Sequence, residues 1–231
     1  MGGIVVSARD AVALAERFGA KTAKSIRADV KVRTEKTLSL VALARRLGAT
    51  KAKAIPADDI VVDERVRFKC SVPLCSNFGR HLLCPPNIMT VEQFRKIVAA
   101  YSTAIIIQLE ADYDSSDKSP SRLSGQLQKR LETKTGGERW EKRLHSIVAD
   151  VEAAAFKSGF YLAAGLIGSE CLLCRKCVGQ NTGQECRHPF QARPSMQAVG
   201  IDVVQTCKKA GMPVNLSSTT KVKWTGLVLL E

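Results

Sequence analysis

A chain of 231 residues, 45% of them hydrophobic, carries enough apolar material for one large domain or two small ones and needs no disulfide staples to hold a core. No apolar run approaches the roughly 18 residues of a membrane span, and the N-terminus lacks the charged-then-apolar layout of a secretory signal. The chain is therefore expected in the cytoplasm, where clustered cysteines more often bind metal than each other.

The formal net charge of +13, from 35 basic and 22 acidic residues, is unevenly spread: between Arg17 and Lys53 there are 11 Lys or Arg against only Asp29 and Glu35. Such a field could hold an acidic partner protein, a nucleic acid or an anionic cofactor. Two solvated helical faces are the favoured account, because no exposed aromatics interleave with the cations, and nucleic acid is the disfavoured partner.

The first elements form an internal repeat. Residues 13–29 set against 42–58 give 11 identities in 17 positions, so residues 7–33 and 37–62 are read as two copies of a helix–strand unit. Ala11, Leu14, Ala15 and Phe18 in the first copy, and Leu40, Leu43, Ala44 and Leu47 in the second, lie on one helical face. Gly19 and Gly48 are the expected stops, with strands over residues 22–26 and 51–55. Residues 1–55 are thus a duplicated repeat, and residues 56–231 an α/β domain that forms one compact unit with it.

Farther along, Thr90 and Gln93 predict a capping box for a helix with Phe94, Ile97, Val98 and Tyr101 on its core face. A buried strand is expected over residues 103–109, an exposed loop over 112–125, and a short helix carrying Leu123, Leu127 and Leu131. A longer helix over 138–158, with Trp140, Leu144, Ile147, Val151 and Ala154 inward, ends at Gly159. Strands over 160–167 and 222–230 bracket a short helix over 202–210 closed by Gly211. Strands alternating with helices predict a layered α/β fold with a largely parallel sheet, both cysteine-rich loops hanging from the carboxyl ends of strands.

Those loops carry the chemistry. Seven of eight cysteines fall into two runs, Cys70-x4-Cys75-x8-Cys84 and Cys171-x2-Cys174-x2-Cys177-x8-Cys186. Cysteines three apart let a short loop present successive thiolates to different irons of a 4Fe-4S cluster, and Cys186 supplies a fourth. In two-cluster ferredoxins the cysteine that precedes a proline serves the other cluster, and here Cys84 precedes Pro85, so a crossed assignment stands beside the preferred local one. Zinc is the competing metal, although neither run divides into two paired knuckles. With three thiolates, the first run leaves one iron open to water or substrate, unless His81 or Cys207 closes it. Beside the second run, Arg187 and Arg193 bring positive charge, and His188 offers a hydrogen bond or a proton path. Phosphate-binding, dinucleotide, zinc-protease and nucleophile-elbow motifs are absent.

Several stretches resemble a known family: residues 55–70, Cys84-Pro85-Pro86-Asn87, Cys186-Arg187-His188-Pro189, Arg193-Pro194-Ser195-Met196 and Gly200-Ile201-Asp202-Val203. The family is the uncharacterised prokaryotic group of predicted metal-binding proteins, frequent in anaerobes and archaea. The resemblance runs from about residue 43 to 211 and implies that Cys70, Cys75, Cys84, Cys171, Cys174, Cys177 and Cys186 bind metal. It implies no settled reaction, and no general acid/base pair decides whether the chain is an enzyme. The expected function is an iron–sulfur protein of redox type, with one four-Cys and one three-Cys cluster, serving a protein partner or a small-molecule substrate. The alternatives are an enzyme that uses the open iron for hydration or sulfur transfer, and a zinc-stabilised nucleic-acid module.

Overall fold

A computed structural model describes residues 20–112, 137–214 and 221–231. The chain divides into two units, Met1–Leu40 and Val41–Glu231. Helix α1 (Ala20–Arg46) crosses that boundary. It contains neither Gly nor Pro and is rich in Ala, Lys, Arg and Leu, all good helix formers. The strand expected over residues 22–26 is therefore helix. Gly48 ends α1 as expected: at φ +105° it lets the Ala49 N–H reach the Ala44 carbonyl at 3.0 Å. The helix of the first repeat copy, with Gly19, lies outside the described residues, as does the leucine stripe of Leu123, Leu127 and Leu131.

In the second copy the equivalent segment is a strand, β1 (Lys51–Pro56), because it finds a partner in β2 (Thr103–Asp112). Nearly the same five residues are thus helix in one copy and strand in the other, and tertiary pairing decides between them. Between β1 and β2 lie a 3-10 turn (Ala57–Asp59), α2 (Glu64–Ser71) and α3 (Val91–Val98). Thr90 and Gln93 form the expected capping box on α3. After β2 come α4 (Gly137–Lys157), β3 (Ala164–Leu166), a 3-10 turn (Gln197–Val199), α5 (Val203–Lys209) and β4 (Lys221–Leu230).

The sheet order is β1-β2-β4-β3, and every neighbouring pair is antiparallel. The expectation of a largely parallel sheet is wrong. The crossover β2-α4-β3 does return the chain in its original direction, but β4 inserts antiparallel between the two strands, giving a split β-α-β unit. The excursion from β1 to β2 leaves and re-enters at one end of the sheet, where Pro56 faces Thr103. The misleading signal was continuous hydrophobicity. Ala104, Ile105, Ile106 and Ile107 are all fully buried because both faces of this antiparallel sheet are covered.

One face, through Ala104, Ile106, Leu166, Leu227 and Leu229, packs on Phe94 and Val98 of α3 and on Met196, Val199, Ile201 and Cys207. Against the other lies α4, whose Leu144, Ile147 and Val151 are buried as expected. The approach is close at Gly226, where a Cβ would stand 2.7 Å from Val148 Cγ2. Among the described residues, no helix is long and apolar enough to cross a membrane.

Ile106 sits at the centre of this packing with no exposed surface. Ile106→Ala is expected to cost about 2–5 kcal/mol, read as a lower urea midpoint at unchanged m value.

Candidate metal centre

The first cysteine loop grows out of α2. Asp63 caps that helix by accepting from the Arg65 N–H at 2.8 Å, and its bonds to Arg65 hold the Asp63 carboxyl down at about 2. Cys70 lies in the last turn of α2, and beyond it the loop is closed by its own backbone. The Cys75 N–H donates to the Cys70 carbonyl at 3.0 Å, Gly79 to Pro85 at 2.8 Å and Cys84 to His81 at 3.1 Å. Arg67 anchors the exit of the loop by donating to the carbonyls of Ile88 and Met89.

The second loop is gripped at its neck. Ile167 pairs with Ser195, through Ile167 N–H to Pro194 O at 3.0 Å and Met196 N–H to Ile167 O at 2.9 Å. Gly168 then passes so close to β4 that a Cβ would stand 2.5 Å from the Thr225 carbonyl oxygen. Two side chains of α4 hold the returning strand of the loop: Glu152 receives Arg193 at 2.5 Å, and His145 Nε2 bonds the Gln191 carbonyl at 2.8 Å.

The two loops are joined by hydrogen bonds. His81 is only 9% exposed, with Nε2 3.1 Å from the Cys171 carbonyl while Nδ1 accepts from the Leu83 N–H at 3.2 Å. Gln180 Nε2 answers from the other side, donating to the carbonyls of His81 at 2.7 Å and Cys84 at 3.1 Å. Both imidazole nitrogens are thus spent on backbone, and His81 is a tie rather than a fourth ligand. Cys207 does not close the first site either, since it is fully buried in the core, 3.6 Å from Gln108 Nε2.

Two cavities result. One, of about 190 Å³, is lined by Cys70, Cys75 and Cys84 together with Glu170, Ser195 and Gln197. At about 30 Å³ per water it has room for roughly six. The other, of about 570 Å³, is walled by Cys171, Cys174 and Cys177. Cys186 bears on Cys171 more strongly than any other thiol does, and its own Sγ accepts from the His188 N–H at 3.4 Å. All eight cysteines are free thiols. Burial, then the neighbouring Cys75 and Glu170, pushes Cys84 up to about 12, and burial likewise raises Cys70 and Cys171. Thiols gathered this way need a cation to ionise, and the donor set suits a soft or borderline metal. Among the described residues, no group of three or more His, Cys, Asp or Glu is arranged to hold a single metal ion.

Around the second loop, Arg187 donates to the Lys176 carbonyl at 3.0 Å and so braces the loop, and Arg193 is paired with Glu152. The contribution of His188 to the sulfur comes from its backbone. Gln180, His145 and Glu152 carry no motif and were missed in the sequence. Glu170 had one visible signal, its position next to Cys171.

The family profile for predicted metal-binding proteins (DUF2284) matches residues 53–230. The chain belongs to that family. Its members are described by metal binding, and the match takes in all seven clustered cysteines. No curated protein and no solved structure matches the chain.

Two outcomes follow from the way a DUF2284 chain of this sequence anchors its second loop. Gly168→Val forces the loop away from β4 and should lower both the thermal midpoint and the metal content, measured on one preparation. Burial, reinforced by the charge of Arg193, lowers the His145 pKa against the opposing pull of the Gln191 carbonyl and Glu152. From pH 6.5 downward the unfolded chain therefore takes up this proton before the folded one, and stability is lost as pH falls through that window. Urea titrations from pH 7.5 to 5 should show a steeper loss for the wild type than for His145→Gln.

Proposed function

We propose that this chain is an iron–sulfur protein of redox type, with one cluster on Cys171, Cys174, Cys177 and Cys186 and a second on Cys70, Cys75 and Cys84. The observation that carries this reading is the adjacency of the two thiol-lined cavities, which share Asn77 and Glu170 as wall residues. Groups separated by one layer of side chains can pass electrons.

Three further features support it. Cys84 lines the same cavity as Cys70 and Cys75, which favours the local assignment over the crossed one. A backbone N–H directed at Cys186 Sγ is the kind of bond that tunes cluster potential. Cys75 is exposed, and Phe68, Val72 and Leu74 beside it are 58%, 55% and 69% exposed, an apolar margin on which a redox partner could dock. Arg65, Arg67 and Lys69 on α2, and the basic segment from Arg17 to Lys53, supply positive charge that suits an acidic partner. A small-molecule oxidant or reductant is the other acceptor this arrangement can serve. The reading needs reduced thiols, as the cytoplasm keeps them.

The test is metal and acid-labile sulfide content after strictly anaerobic purification. About eight irons and eight sulfides per chain are expected, with an electron paramagnetic resonance signal on dithionite reduction. About four irons would reduce the reading to one cluster, and zinc without iron would overturn it. Cys174→Ser is expected to lower the iron content of a sample that starts at about eight toward about four.

A further inference from the structure

We propose that the side-chain carboxylate of Glu170 is the fourth, non-cysteine ligand of the cluster on Cys70, Cys75 and Cys84. The inference rests on the iron–sulfur reading and deepens it, because it settles what stands at the corner that cysteine leaves vacant.

Placement is the first argument. Glu170 lines the cavity of about 190 Å³ together with all three thiols, although it belongs to the other loop and lies about a hundred residues along the chain from them. Its position is fixed by the backbone before it: Gly168 is pressed against the Thr225 carbonyl, and Gln197 Nε2 donates to the Gly168 carbonyl at 3.2 Å. A ligand carried on such a turn is held in place before metal arrives.

Elimination is the second argument. His81 has given both nitrogens to backbone groups, and Cys207 is in the core. The other polar walls of the cavity are neutral: Asn77, Ser169, Ser195 and Gln197. Ser195 Oγ already accepts from the Ala198 N–H at 3.1 Å. A carboxylate binds iron better than a neutral amide or hydroxyl, and it brings the negative charge that a fourth thiolate would have brought. Glu170 is exposed and uncommitted: among the described residues its carboxylate has no hydrogen bond and no ion pair, although it also lines the neighbouring cavity with Arg80, Arg175 and Lys176.

Successive residues then serve the two sites, Glu170 the three-thiolate cluster and Cys171 the four-thiolate one. No iron is left open to solvent. The alternative, an iron that carries water, makes the opposite prediction for one measurement.

That measurement is electron–nuclear double resonance of the anaerobically reconstituted, reduced full chain in water enriched in oxygen-17, on samples whose iron and sulfide have been counted. Wild type is expected to show about eight irons and no oxygen-17 coupling. Glu170→Ala should gain such a coupling as water enters the vacated position, and Glu170→Cys should keep its iron and remain uncoupled. Coupling in the wild type overturns the inference, and so does a Glu170→Ala protein that keeps about eight irons without gaining coupling. Should Glu170→Ala shed the cluster instead, retention of it by Glu170→Cys supports the assignment, and loss from both variants overturns it. A wild-type chain that takes up no iron at all fails at the count, before the resonance measurement, and overturns the iron–sulfur reading itself.

Discussion

The site depends on two side chains that bind no metal. His81 and Gln180 hold together loops whose cysteines are about ninety residues apart in sequence, and each does so by bonding backbone carbonyls of the cysteines or of their neighbours. Because His81 is buried and uses both ring nitrogens, losing it would leave a part-buried carbonyl at Cys171 and a part-buried N–H at Leu83 without that partner. The core reinforces the arrangement from beneath. The turn Gln197–Val199 buries Val199 among Ile106, Leu227 and Met196 while it presents Gln197 and Ala198 to the three-thiolate cavity. The sheet therefore sets the position of one wall of the site directly.

How much of this was legible in the sequence follows from which signals are local. The helix stops at Gly48 and Gly159, the capping box at Thr90, Phe94 and Val98 on α3 and Leu144, Ile147 and Val151 on α4 are written in residues within one or two turns of each other and stand as read, whereas Ile97, expected in the core, is exposed and Val91 takes its place. Strand direction is not local. The run of residues 104–107 is apolar because helices and turns cover both faces of the sheet, a condition that parallel and antiparallel sheets can both meet. The insertion of β4 between β2 and β3 is settled by the last ten residues of strand, far from the crossover that suggested parallel pairing. The two copies of the repeat carry the lesson furthest. Thr22-Ala23-Lys24-Ser25-Ile26 and Lys51-Ala52-Lys53-Ala54-Ile55 agree at three of five positions, yet only the second lies along β2. The cysteines were legible as a set, while their surroundings were not. Histidine invites a metal role by its chemistry, and only geometry could show His81 bound to carbonyls.

Burial alone does not distinguish the eighth cysteine from the seven. Cys207 and Cys84 are both pushed up chiefly by desolvation. The secondary causes separate them. Cys84, Cys70 and Cys171 are each raised further by other thiols, whereas Cys207 feels none and instead meets Gln108 and Thr225. A lone buried thiol is a small hydrophobe that stays protonated at no further cost. Thiols that raise one another carry a latent repulsion that a cation relieves, so a metal bound at Cys84 would have to displace a proton held to about pH 12 and would add its binding free energy to the folded state.

The same proximity makes the two sites unequal and interdependent. Cys177 is among the charges felt at Cys84, so the cavities communicate electrostatically even before any metal is considered. Two clusters this close would not titrate independently. An electron on one would add negative charge beside the other and lower its potential, and the pair would show two macroscopic reduction steps belonging to both. The four-thiolate loop is braced by Arg187, Arg193 and the His188 N–H. The three-thiolate loop is reached through exposed Cys75 and its apolar margin. The two sites thus differ in bracing and in exposure, while Asn77 and Glu170 stand in the walls of both.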